Sequence, residues 1–199
     1  EQTAAILFTS GSTGVPKGVV TPFRVFAAQV RALKEAYGIR PGERDLATFP
    51  LFALFGPALG MASVVPDMDA SRPAEADPRR LFEAFRDYDC TNLFASPALI
   101  DKLGSYCVDQ GLQLTSLRRA ISAGAPASNP ALERFQQCLP EGIDVLTSYG
   151  ATESLPVSVI RSREILRETR QLTDRGRGVC VGRPTPGMEV RIVPIHDEP

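Results

Sequence analysis

An apolar run, Ala4-Ala5-Ile6-Leu7-Phe8, leads directly into Thr9-Ser10-Gly11-Ser12-Thr13-Gly14-Val15-Pro16-Lys17-Gly18. This junction constrains the fold more than any other stretch. Its glycines let the backbone turn and approach a ligand closely. Its hydroxyls and N–H groups donate hydrogen bonds, and its lysine brings charge. Those are the needs of a polyphosphate. A flexible Gly/Ser linker would need neither the preceding strand nor the closing Pro-Lys-Gly. The Walker-type loop is a poor match, because it requires Gly-Lys-Ser/Thr, whereas Pro16 precedes Lys17 and Gly18 follows it.

Strand-like and helix-like segments alternate along the chain, which predicts an α/β architecture with mixed sheets flanked by helices. Phe26, Val30, Leu33 and Tyr37 recur at helical steps over 25–37, with Gly38 as the stop. Asp77-Pro78 and Asn129-Pro130 read as helix starts, and 97–107 reads as a further helix. Residues 46–49, 91–95, 117–122 and 143–147 read as strands. Three loops that follow strands then carry the chemistry-bearing residues, and ligands bind at the carboxyl ends of strands in such sheets. The arginine-rich stretch 161–177 reads as a solvated helix plus an exposed loop, with a border to the active site as the alternative.

Four segments in order carry a resemblance. Thr9 to Gly18 resembles the phosphate loop of the acyl-adenylate-forming superfamily. Ser122-Ala123-Gly124-Ala125-Pro126 resembles its adenine-side loop, and Ser148-Tyr149-Gly150-Ala151-Thr152-Glu153 its Tyr-Gly-x-Thr-Glu motif. Gly182-Arg183-Pro184-Thr185-Pro186-Gly187 resembles the segment that follows. The resemblance spans nearly the whole chain and implies that 1–199 is a partial large N-terminal domain. An upstream stretch and a C-terminal lid with its lysine are expected beyond it. A narrower resemblance, in 48–60, Val65-Pro66-Asp67-Met68-Asp69, Arg72-Pro73 and 149–157, is to the olefin β-lactone synthetases. Ala53 stands where many acyl-CoA synthetases carry histidine, and the chain's one histidine is His196.

The resemblance implies ATP-dependent activation of a long-chain β-hydroxy carboxylic acid as acyl-AMP, then intramolecular β-lactone formation. The alternatives are a fatty-acid–CoA ligase, or a nucleotide-binding fragment that turns nothing over. Thr9, Ser10, Gly11, Ser12, Thr13 and Gly14 would wrap the phosphates of ATP. Lys17 either adds charge or anchors the loop. Gly124, Ala125 and Pro126 would line one face of adenine, with Tyr149 stacked on the other and Gly150 beside it. Thr152 would donate to the α-phosphate and Glu153 would hold Mg²⁺. Phe52, Ala53, Leu54 and Phe55 would lie nearest the acyl chain; ordinary core packing is the other reading of that apolar cluster, which Gly56 and Pro57 interrupt.

Composition excludes other classes. A chain of 199 residues, 43% hydrophobic and 23% charged with net charge -1, suits one globular unit and gives no support for nucleic-acid binding. No apolar run is long enough to span a membrane. The widely spaced Cys90, Cys107, Cys138 and Cys180 predict mostly buried, free thiols in a reducing cytoplasm rather than a zinc site. Other olefin-pathway enzymes are the partners this reading would allow.

Overall fold

The first strand, β1 (Thr3–Thr9), folds back on β2 (Lys17–Pro22) as an antiparallel hairpin. The computed structural model describes residues 2–9 and 17–194. Ser10, Gly11, Ser12, Thr13 and Gly14, expected to wrap phosphate, lie outside the described residues, as does His196. The base of their loop is described: Thr9 pairs with Lys17 across the hairpin.

β2 runs straight into α1 (Phe23–Tyr37). Leu33 and Tyr37 are buried along it, and Phe26 and Val30 pack partly buried on the same cluster. The helix ends at Gly38, whose φ of 62° is the left-handed conformation glycine adopts freely.

The chain continues through β3 (Arg44–Ala47), α2 (Pro50–Ala58), β4 (Ala62–Val64), α3 (Pro78–Asp87), β5 (Asn92–Ala95), α4 (Pro97–Asp109), β6 (Arg119–Ala123), α5 (Asn129–Gln136), β7 (Val145–Ala151), β8 (Ser154–Arg161) and β9 (Arg183–Pro184). The described strands after the hairpin form one sheet in the order β4-β3-β5-β6-β7-β8-β9, parallel as far as β7 and antiparallel at β8 and β9. Asp77 caps α3 by accepting from the Arg79 N–H at 2.9 Å. Ser96 and Ser128 cap α4 and α5 in the same way, each cap worth about 1 kcal/mol.

Alternation along the strands divides the core between two faces. Leu93, Ala95, Ala120, Val145 and Ile160 face the cluster built with α3, α4 and α5. Phe94, Ile121, Leu146 and Val159 face the one built with α1 and α2. Strands covered on both faces carry apolar residues at successive positions, as these do.

Two segments differ from their sequence reading. Residues 50–58 stay helical through Gly56 and Pro57. Pro57 falls in the last turn, where little of the helix remains to be disrupted. A Cβ on Gly56 would sit 2.3 Å from Ser63 Oγ, so the bare glycine lets α2 lie against β4. β7 runs to Ala151 instead of ending near 147, because Ser148 and Tyr149 pair with Val159 and Ser158 of β8. The third motif therefore lies in a hairpin and not in a loop after a strand.

At the amino ends of the strands, Asp45, Asn92 and Arg119 are neighbours in register across β3, β5 and β6. Arg119 donates from Nη1 to Glu43 Oε2 at 2.5 Å and to Asn92 Oδ1 at 3.1 Å. Its Nε donates to the carbonyl of Tyr37 at 2.6 Å, and Nη2 to that of Gly38 at 3.0 Å. The end of α1 is thereby fixed to the sheet. Asn92 Nδ2 donates to Asp45 Oδ1, while the buried Asp45 Oδ2 has no partner among the described residues. Burial pushes the Asp45 carboxyl up to about 7, against the opposing pull of Asn92 and Arg119.

Two predictions follow from this packing. The native carboxyl of Asp45 holds its proton up to about pH 7, whereas an unfolded aspartate loses it near pH ~3.9. Its stabilising contribution is present below the unfolded value and is lost as pH rises through the folded one. Asp45→Asn should therefore gain stability relative to the parent across that window and level off above it, as measured by denaturant titration at several pH values. Gly182 has φ of 86°, and a Cβ there would lie 2.2 Å from the Val159 carbonyl oxygen. Gly182→Ala should cost about 2 kcal/mol or more in the same assay.

Candidate active site

β6 ends at Ala123, and Gly124 turns the chain with φ of 93° into the exposed Ala125 and Pro126. Beside it, β7 carries Ser148, Tyr149, Gly150 and Ala151, and the turn to β8 carries Thr152 and Glu153. These are the carboxyl ends of neighbouring parallel strands, so the two motifs meet. On β7 the pleat sends alternate side chains to opposite faces.

Two cavities adjoin there. The first, about 170 Å³, is lined by Tyr37, Phe49, Leu51, Phe52, Phe94 and Leu155 together with Ser148 and Ala151–Thr152. The second, about 230 Å³, is lined by Gly124–Pro126, Thr147–Gly150 and Val179–Val181. Gly124, Ser148 and Gly150 border both. A Cβ on Gly150 would come 3.0 Å from the Ser154 carbonyl oxygen, so the bare glycine lets the two strands of the hairpin lie close together here.

Helix α1 is tied to the motif twice. Gln29 Nε2 donates to the Thr152 carbonyl at 3.1 Å, and the Tyr37 hydroxyl donates to Ser148 Oγ at 2.6 Å. Burial pushes the Tyr37 hydroxyl up to about 12, with the Ser148 bond opposing. It therefore stays protonated at neutral pH and acts as a donor.

The structure brings together many of the residues singled out from sequence. Gly124, Ala125, Pro126, Tyr149 and Gly150 surround the second cavity, and Thr152 and Phe52 line the first. Glu153 is exposed in the turn beside Thr152, and Lys17 is exposed at the base of the first hairpin. Phe55 is fully buried and stacks on Phe26 with ring centroids 5.0 Å apart. Ala53 and Leu54 are on α2 outside the lining of the first cavity, and Leu54 is exposed. Tyr37, Phe49, Leu51, Phe94, Ser148 and Leu155 were missed as lining residues. The apolar stripe of α1 marked Tyr37 as buried, but only the tertiary fold brings its hydroxyl to β7.

No three His, Cys, Asp or Glu side chains converge as a metal cage among the described residues. The single carboxylate of Glu153 fits Mg²⁺, which takes one or two carboxylates and fills its shell with phosphate and water. Cys90, Cys107 and Cys138 are free and buried. Burial pushes the Cys90 thiol up to about 12, and contact with Cys138 followed by burial pushes Cys107 upward. Cys180 is half-buried and borders the second cavity. The stretch after β8 is helical from Ser162–Glu164 through a π-helical turn at Ile165–Thr169 to Arg170–Asp174. Its Ile165, Thr169 and Thr173 line a further cavity of about 380 Å³ with Pro126, Thr147 and Cys180. The stretch therefore does border the site region.

The family model described as AMP-binding enzyme matches residues 1–199. The chain belongs to this family. It is 50% identical over 199 residues to the olefin beta-lactone synthetase of Stenotrophomonas maltophilia (strain K279a), covering 100% of this chain and 35% of that protein. It is also 50% identical over 197 residues to the olefin beta-lactone synthetase of Xanthomonas campestris pv. campestris, covering 99% and 34%. The chain thus spans about a third of the length of these relatives. Among solved structures, o-succinylbenzoate CoA synthetase from Bacillus subtilis, in complex with its acyl-adenylate intermediate, superposes with a TM-score of 0.73 at 22% identity, covering 97% of this chain and 37% of that one. That likeness concerns the fold, the N-terminal architecture of acyl-adenylate-forming enzymes. No described helix is long and apolar enough to cross a membrane.

The Gln29 bond predicts a local effect. Gln29→Leu removes one hydrogen bond worth about 1 kcal/mol, so amide hydrogen exchange in the β7–β8 turn should quicken about fivefold while the rest of β6 and β7 is unaffected. Unchanged exchange in the turn would show that the bond does not hold it.

Proposed function

We propose that this chain is the nucleotide- and acyl-binding part of a longer AMP-forming enzyme that activates a long-chain 3-hydroxy acid and closes it to a β-lactone. The observation that supports this best is the meeting of an apolar cavity and a second, motif-lined cavity at Gly124, Ser148 and Gly150. An acyl-adenylate has those two halves, joined at one bond. The 50% identity to two olefin beta-lactone synthetases favours the lactone over other acyl transfers.

In the first step a carboxylate oxygen bonds to the α-phosphorus of ATP, and the bond to pyrophosphate breaks. Adenine enters the second cavity against Gly124, Ala125, Pro126 and Tyr149, where small residues leave room for a flat base. The acyl chain enters the first cavity, with Phe52 and Phe94, stacked at 3.4 Å between centroids, forming part of its wall. Thr152 donates to the α-phosphate, and Thr9 to Gly14 with Lys17 hold the outer phosphates. Glu153 would hold Mg²⁺, which would neutralise phosphate charge. In the second step the 3-hydroxyl oxygen bonds to the acyl carbon, the bond to AMP breaks with its electron pair going to the departing phosphate, and the hydroxyl proton passes to that phosphate or to solvent. No second substrate is needed, and proximity favours the closure. The free cysteines suit a reducing cytoplasm.

The test supplies full-length protein with Mg-ATP and a long-chain 2-alkyl-3-hydroxy acid, with and without CoA, and identifies products by NMR without heating. A β-lactone with AMP in the absence of CoA is expected. An acyl-CoA formed only with CoA would replace the lactone reading by that of a ligase. Glu153→Ala should lower Mg²⁺-dependent ATP–pyrophosphate exchange about a hundredfold, and near-normal exchange would remove Glu153 from the site.

A further inference from the structure

The first cavity is walled mainly by apolar side chains: Phe49, Leu51, Phe52, Phe94 and Leu155. Into this lining the fold introduces two bonded side-chain hydroxyls, Tyr37 and Ser148. An alkyl chain has no use for them. Two hydroxyls that share one hydrogen bond keep one proton undonated, and Ser148, which carries it, lines the cavity. An apolar ligand would bury it without an acceptor, which is unfavourable.

The pair is not needed to pin α1. Arg119 already holds the Tyr37 and Gly38 carbonyls at 2.6 and 3.0 Å, and Gln29 holds an earlier turn of the helix to Thr152. With its backbone clamped and its ring buried to 5% exposure, Tyr37 presents its hydroxyl from a fixed position. Such support is what a recognition group requires. Ser148 and Thr152 line the same cavity from one hairpin. A hydroxyl bound at Ser148 is thus close along the chain to the group proposed to meet the α-phosphate.

We infer that the Tyr37–Ser148 hydroxyl pair recognises the hydroxyl at C3 of the acid substrate and sets the preference for 3-hydroxy acids over 3-deoxy acids. This rests on the acid-activating reading above and adds the group that selects the substrate class. Ser148 donates to the substrate oxygen while Tyr37 donates to Ser148. The remaining lone pair of the substrate oxygen stays available to the acyl carbon. A 3-deoxy acid leaves the Ser148 proton unpaired in an apolar surrounding, and sites built to bond a hydroxyl discriminate strongly against analogues that lack it.

The experiment measures acid-dependent ATP–pyrophosphate exchange by the full-length protein with a long-chain 3-hydroxy acid and with the same acid lacking the hydroxyl. The ratio of the two kcat/KM values is compared for the parent, Ser148→Ala and Tyr37→Phe. The parent should prefer the hydroxy acid by roughly tenfold or more, and each variant should cut that preference by about tenfold. A merely structural tie would slow both acids by one factor and leave the ratio unmoved, which would overturn the inference. So would a parent with no preference. The variants replace separate members of the pair, so either one that folds decides the matter. If the parent makes thioesters and no lactone, the lactone reading falls while the ratio still decides this inference. If lactone forms without any change in ratio, this inference alone falls.

Discussion

The buried guanidinium of Arg119 fixes the position of the helix that closes one side of the site. Arg119 has five N–H donors, and they meet the Glu43 carboxylate, Asn92 Oδ1 and the carbonyls of Tyr37 and Gly38. Removing a charged pair from water is costly, and full hydrogen bonding is what makes it tolerable. Because the two carbonyls belong to the end of α1, the sheet dictates where Tyr37 stands. Burial, against the pull of Asn92 and Arg119, keeps Asp45 protonated below about pH 7, and there the network carries the Arg119–Glu43 pair without a second buried carboxylate charge beside it. This polar anchor sits at the amino ends of the parallel strands, and both cavities lie at their carboxyl ends. Stability and ligand contact are thus placed at opposite edges of one sheet.

Between those edges the sheet is apolar on both faces. The side chains that fill the core toward α1 and α2 continue into the first cavity: Phe52 belongs to the cluster and to the lining. A cavity wall that is also core is rigid, since close-packed interiors give little. The other cavity is bordered by the exposed turn at Gly124 and by Val179–Val181, where the chain is less enclosed. An acyl pocket held by core residues beside a more open nucleotide pocket is consistent with the proposed order of parts.

Much of the framework was legible from pattern. Helical spacing located α1 and its Gly38 stop, Asp77-Pro78 marked the start of α3, the strand at 92–95 fell within its expected stretch, and that at 119–123 ran one residue past its own. The α/β class followed from the alternation. Other features depended on contacts distant in sequence. The extension of β7 through the Tyr-Gly motif is stabilised by β8, and Gly150 disguised it as loop. Helix α2 accommodates Pro57 because it falls in the last turn, and Gly56 lets the helix lie against Ser63 of β4. At the site, the motif residues could be named from their types and order, whereas Tyr37 and Leu155 could not. A tyrosine on an apolar stripe gives no sign of what its hydroxyl will reach. Phe55, by contrast, looked like a pocket residue and is entirely occupied with Phe26 and Phe52.

β7 has a further consequence. Its alternation turns Leu146 toward the α1 side and Val145 toward the other, and the pleat continues to Ser148 and Tyr149. Thr147 and Tyr149 border only the second cavity and Ala151 only the first, while Ser148 and Gly150 stand against both. A change at Ser148 or Gly150 is therefore felt in both cavities at once, and one at Thr147 or Tyr149 in the second alone. A single-residue insertion in this strand would turn every side chain beyond it to the opposite face of the sheet.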